Sequence, residues 1–189
     1  MTIVYIILIF LQAGVIAYFV MRGRKLKKEI ANQQALPAGD TYAGFRNLAI
    51  KITPLQLKLA IPPTETIVYG VVMDWDMGAS VATLAAYLTG AANLCFSTGG
   101  VVKGGGIKPS VGEAAVDFVM ASQVYLDRAI PVNTTDLPVN GCVRFYFLTN
   151  KGMYAAQEHV KHFDDQSSPW LNLFLKGNDV IHEIQGMLN

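Results

Sequence analysis

The sequence predicts an α+β domain, an antiparallel five-stranded sheet with packed helices in the order αβββαββα, preceded by one transmembrane helix. Three observations predict it. An uncharged apolar stretch fills the first twenty-odd residues, β-branched and aromatic segments recur between Thr66 and Leu148, and two later stretches carry apolar residues at helical spacing.

Residues 1–22 are the expected transmembrane helix. No charged side chain stands between Met1 and Met21, and Ile3 to Leu11 is an unbroken apolar run. At about 1.5 Å of rise per residue, a helix of about twenty residues covers the roughly 30 Å hydrocarbon layer. Gln12 interrupts the run with a single amide, which a spanning helix tolerates or turns towards a neighbouring helix. A cleavable signal peptide would place basic residues before the apolar run and small residues at a cleavage site behind it, and the sequence has neither feature. The basic residues Arg22, Arg24, Lys25, Lys27 and Lys28 follow the run instead, which by the positive-inside rule holds that end in the cytoplasm. The expected topology is single-pass, with the folded domain cytoplasmic and the unpaired Cys95 and Cys142 kept reduced.

Residues 23–43 read as a basic neck and linker, broken at Ala35 to Gly39, and residues 44–189 as the folded domain. Phe45 to Ile50 and Leu55 to Ala60 read as helices divided by Thr53-Pro54, a cap followed by a first-turn proline. Thr66 to Asp74 is apolar on both faces, as an interior strand should be. Ser80 to Leu88, the Thr89-Gly90 turn and the following ANLCFS read as a hairpin. Val111 to Asp127 has Val111, Ala115, Phe118, Ser122 and Tyr125 at helical spacing, with Ser110 and Glu113 forming a capping box. Val143 to Leu148 and a partner from Met153 form a second hairpin about Asn150-Lys151-Gly152. Ser168-Pro169 starts a last helix, with Trp170, Leu173, Phe174, Gly177, Ile181, Ile184 and Leu188 on one stripe.

Composition narrows the functional classes. The chain has 189 residues, 52% apolar and 15% charged, which excludes a disordered or highly charged chain. From Gly44 onward 10 basic residues face 12 acidic ones, so the domain lacks the basic footprint of a nucleic-acid binder. The two cysteines lack CxxC spacing and give neither a zinc site nor a disulfide framework.

VYGVVMDW (Val68 to Trp75), LCFSTGGVVKGGG (Leu94 to Gly106), VRFYFLT (Val143 to Thr149) and SSPWLNLFLKGNDVIHEI (Ser167 to Ile184) together resemble a family of uncharacterised bacterial proteins. Its members read roughly GVLMDW, LYFSTGGGVIGGG, VRFYLLT and a C-terminal SPLF…GNEVI helix. The resemblance runs from about Phe45 to the end, with the glycine motif as its most specific part. It implies shared architecture and brings no activity, and with a bacterial chain the membrane expected from the apolar segment and its basic flank is the inner membrane. The chain departs from the family at Cys95, where an aromatic is usual, and at Lys103, where an apolar residue is usual. By element order alone the domain is also similar to profilin-like and roadblock-like domains.

The candidate ligand site is the glycine-rich run with the end of the strand before it: Ser97, Thr98, Gly99, Gly100, Lys103, Gly104, Gly105, Gly106, Asp74 and Trp75. Backbone amides at a helix start, with a lysine beside them, suit a small anion or nucleotide, whereas the commoner use of such glycines is a tight passage from strand to helix. Neither the P-loop nor the dinucleotide fingerprint fits the run. Asp74 and Asp76 alternate onto one side of a strand, and His159 and His162 would share a helix face, but no third ligand is fixed for a metal. Neither cysteine has a His or basic neighbour to activate it, and Ser97 and Thr98 lack a G-x-S-x-G context. No catalytic residue, metal or cofactor is assigned. The expected function is a membrane-anchored, non-catalytic scaffold or assembly subunit of an inner-membrane complex. Its partners would be membrane lipid, copies of itself or other subunits, with no nucleic acid. The alternative is a sensor of an anion or nucleotide at the glycine loop.

Overall fold

The computed structural model describes residues 41–103 and 108–187. Helix α1 (Tyr42–Lys51) is followed by strands β1 (Val68–Asp76), β2 (Val81–Tyr87), β3 (Ala92–Phe96) and β4 (Val101–Lys103). Helix α2 (Pro109–Ser122) continues as a 3₁₀ segment (Gln123–Arg128), then come β5 (Ile130–Val132), β6 (Cys142–Thr149), β7 (Gly152–His159), α3 (Val160–Asp164) and α4 (Leu171–Gln185).

The strands form one antiparallel sheet in the order β4-β3-β2-β1-β6-β7-β5. The expected α+β class is therefore right, and the five-stranded count is corrected to seven. The two added strands, β4 and β5, are three residues each and lie at the two edges. One follows a glycine pair and the other contains Pro131, so neither carries the alternation by which a strand shows in sequence. Proline at the rim costs little, because an edge strand has one side free of ladder bonds.

The expected transmembrane helix at residues 1–22 lies outside the described residues, as do Arg22 to Lys28 and the neck up to residue 40. Among the described residues no helix is long and apolar enough to cross a membrane. Helix α1 starts at Tyr42, ahead of the expected boundary, because the Thr41 side chain accepts a hydrogen bond from the Gly44 amide. Leu55 to Ala60, expected helical, is a turn instead: its chain reverses through Lys58 at φ 56°, which ends any helix.

Register explains how the sheet is covered. Val72, Asp74 and Asp76 of β1 face one way, Val71, Met73 and Trp75 the other. On the second face α2 and α4 pack together against the sheet. Gly177 is what admits α4 here, since a Cβ there would lie 2.8 Å from Met73 Sδ and 3.4 Å from Phe118 Cζ. Trp75 meets Phe174 edge to face at 5.3 Å, and Trp170 stacks near Phe145 at 6.2 Å. The stripe read for the last helix is buried from Trp170 to Ile184, with Leu188 outside the described residues, although regular helix begins at Leu171 rather than at Ser168-Pro169.

Helix α1 covers the first face, where Ile50 joins Val72, Ala85, Tyr87, Tyr146 and Leu148 in one apolar cluster. The capping box expected at Ser110 and Glu113 does not form. Lys108 is the N-cap residue with Pro109 behind it, and the Ser110 hydroxyl turns to Glu183 of α4 at 2.5 Å. The long helix expected to run to Asp127 ends at Ser122 and tightens into the 3₁₀ segment.

Candidate functional site

Small side chains on the first face of β2 and β3 leave α1 standing clear of the sheet. Thr83, Ala85, Asn93 and Cys95 form the floor of the resulting groove, while Phe45, Leu48, Ile52, Leu57 and Val101 line its sides. Its volume is about 260 Å³, and its lining carries no charged residue. That is a slot for apolar groups, with a polar edge from Thr83 and Asn93.

An ionic lattice anchors α1 at one end of the groove. Arg46 is 6% exposed and Asp74 is 0% exposed. The guanidinium donates to Asp74 Oδ2 from Nε at 2.9 Å and from Nη2 at 2.7 Å, and to the Thr135 carbonyl from Nη1 at 2.6 Å. The Asp136 carbonyl accepts from Nη2 at 3.2 Å and from the Tyr146 hydroxyl. Asp74 Oδ1 accepts from Thr83 Oγ1 at 2.5 Å, and Thr83 shares a hydrogen bond with the Tyr42 hydroxyl at 2.9 Å. Burial works against the charged guanidinium, but the hydrogen bond and charge of Asp74 outweigh it and hold the Arg46 pKa above its ordinary value. Both oxygens of Asp74 are therefore engaged within the chain. The sequence reading placed Asp74 at a ligand site but missed Arg46. The available signal was a carboxylate inside an otherwise apolar interior strand, which demands a buried cation somewhere in the fold.

Two of the candidate ligand residues, Asp74 and Trp75, do not converge. Asp74 and Trp75 point to opposite faces of the sheet, Trp75 towards Phe174 and Asp74 towards α1. The run from Ser97 to Gly100 is a hairpin turn into β4 rather than a passage from strand to helix, with Gly99 and Gly100 at φ 99° and 98°. Ser97 ties that turn to the start of β2, its hydroxyl accepting from the Val81 amide at 2.8 Å, and Thr98 is exposed beside it. Lys103 ends β4, while Gly104, Gly105 and Gly106 lie outside the described residues. At the start of α2 an anion is already in place and comes from the protein itself. Glu183 accepts from Lys108 Nζ at 2.8 Å and from Ser110, and these bonds hold its pKa below the usual carboxylate range.

Asp76 shares the first face with Asp74, as alternation required, but serves the chain: Oδ2 accepts from the Gly141 amide at 2.7 Å and Oδ1 from the Gly78 amide at 3.1 Å. His159 is the last residue of β7 and the N-cap of α3, so the two histidines do not share a helix face. Their ring centres are 6.2 Å apart, and His162 Nδ1 pairs with Glu158 Oε1 at 2.6 Å. No group of three or more His, Cys, Asp or Glu among the described residues could hold a metal. Burial pushes the Cys95 thiol up to about 12 and raises Cys142 as well, so neither is poised as a nucleophile.

Several large apolar side chains stay in water. Leu48 on α1 and Leu55 on the turn behind it are 72% and 86% exposed. On the opposite layer Met120 of α2, Val124 of the 3₁₀ segment and Leu175 of α4 are 62%, 75% and 49% exposed.

The chain matches no known family model, no curated protein and no solved structure.

Proposed function

We propose that this protein is a non-catalytic assembly module, held at the bacterial inner membrane through its apolar N-terminal segment with the α+β unit on the cytoplasmic side. It associates with copies of itself or with other membrane subunits through the exposed side of its helical layer. One observation carries the reading. The buried or half-buried carboxylates Asp74, Glu158 and Glu183 are paired inside the fold, while Met120, Val124 and Leu175 stand uncovered on the α2 and α4 layer. Chemistry needs a polar group free to meet a substrate, and assembly needs apolar surface free to meet a partner.

The test is chemical cross-linking in native membranes followed by mass measurement in detergent. Wild type is expected to run as a complex, and Val124→Asp with Met120→Asp to release the monomer while keeping the wild-type circular dichroism. A wild-type protein recovered only as a monomer without partners defeats the proposal.

The second reading, a sensor binding an anion or nucleotide at the glycine loop, has weaker support because Glu183 already engages Lys108 and Ser110 beside the loop's exit. It predicts a rise in melting temperature with phosphate or nucleotides that Lys103→Ala abolishes. Silence in both variants removes it.

A further inference from the structure

We infer that the lip formed by α1 and the turn after it is a contact face for an anionic lipid bilayer, with Leu48 and Leu55 entering the interface and Lys51 and Lys58 meeting lipid phosphates. This inference rests on the membrane attachment proposed above. Leu55 is the most exposed of the large apolar residues of the described fold at 86%, and Leu48 is third at 72%, after Val124 at 75%. Leu55 is not among the residues that line the groove, and Leu48 lines its side while staying largely in water.

Between residues 41 and 64 every charged side chain is basic. Lys51 stands three residues after Leu48 on the same helix and is exposed, and Lys58 is exposed directly after Leu57, which lines the groove. The groove behind the lip contributes no carboxylate among its lining residues. Protruding leucines flanked by lysines suit the boundary between acyl chains and headgroups, where the lysine stems lie along apolar surface and the ammonium groups reach phosphate. A neutral apolar partner would leave both lysines without a counter-charge, and a purely ionic one would leave both leucines wet. An anionic bilayer satisfies the two at once.

Chain connectivity points the same way. The sequence before α1 carries Arg22, Arg24, Lys25, Lys27 and Lys28 directly behind the apolar segment, so the same leaflet chemistry is available to both. The buried Arg46 to Asp74 lattice fixes α1, the helical part of the lip, on the sheet.

The experiment uses the full chain with an environment-sensitive fluorophore on Leu55→Cys, since Cys95 and Cys142 are buried and resist labelling. The chain is reconstituted into vesicles of phosphatidylcholine alone or with added phosphatidylglycerol. A matched label on Val124→Cys reports the opposite layer. The expected result is a blue shift and quenching by spin-labelled lipid at position 55 only, and only with phosphatidylglycerol. Lys51→Glu and Lys58→Glu should each reduce the immersed fraction by about fivefold or more. A chain that remains in the vesicles after alkaline extraction while the label at 55 stays in water overturns the lip and leaves the anchor standing. A chain that alkaline extraction removes overturns the anchor, and the label at 55 then decides the lip on its own. Immersion of that label in phosphatidylcholine alone, unaffected by either lysine change, also overturns the inference.

Discussion

Replacing Arg46 by alanine strands a carboxylate at the centre of the fold. Asp74 is 0% exposed and keeps only the Thr83 hydroxyl as a donor once the guanidinium is gone, while the Thr135 carbonyl loses this donor as well and the Asp136 carbonyl is left with the Tyr146 hydroxyl. Breaking a buried pair from one side costs about 3–5 kcal/mol, because an uncompensated charge remains. For a folded unit of this size each kcal/mol is worth about 2–4 °C, so the melting temperature should fall by about 6–20 °C. Urea unfolding of Arg46→Ala, Asp74→Leu and the double variant, followed by fluorescence of Trp75 and Trp170, gives the coupling between the two residues. The double variant should lose less than the sum of the singles by more than 1 kcal/mol, since it removes both charges together. If Arg46→Ala costs under about 1 kcal/mol, or if the singles simply add, the lattice is not what holds α1 on the sheet.

Three further outcomes are expected. Gly90→Ala places a Cβ 3.2 Å from Gly112 Cα at a backbone φ of 78°, and thermal melting should show a loss of about 1–3 kcal/mol. Burial raises the Glu158 pKa, but hydrogen bonds from His162, the His159 amide and Ser168 outweigh it and leave it below normal. The stability this gives is complete above the ordinary carboxylate range and disappears as the pH falls through the lowered value, so Glu158→Gln should flatten the acid limb of a stability profile. With its thiol pushed up to about 12, Cys95 should resist iodoacetamide at pH 8 in the folded protein and react once urea exposes it, which mass spectrometry reads directly.

Strands β1, β3 and β6 were legible because burial on one or both faces wrote itself into their β-branched and aromatic runs, β2 and β7 because the Thr89-Gly90 and Asn150-Lys151-Gly152 turns tie them to a neighbour, and the α4 stripe because a helix packed on a sheet needs one apolar side. β4 and β5 were not legible, since three-residue rim strands owe their existence to a neighbour's free edge rather than to their own residues. Ser110 shows the same limit in a helix: the local pattern for a capping box was present, yet a carboxylate from α4, which only folding brings near, took the hydroxyl.

The sequence by itself determined the class of fold and the interior character of β1. Those follow from residue type and period, which act over a few positions along the chain. Tertiary structure alone decided what Asp74 and Glu183 bind, that Asp74 and Trp75 part to opposite faces, and that α1 stands off small residues to leave a groove. Each depends on groups tens of residues apart meeting in a dry interior, where a charge must find its counter-charge whatever the local sequence favours.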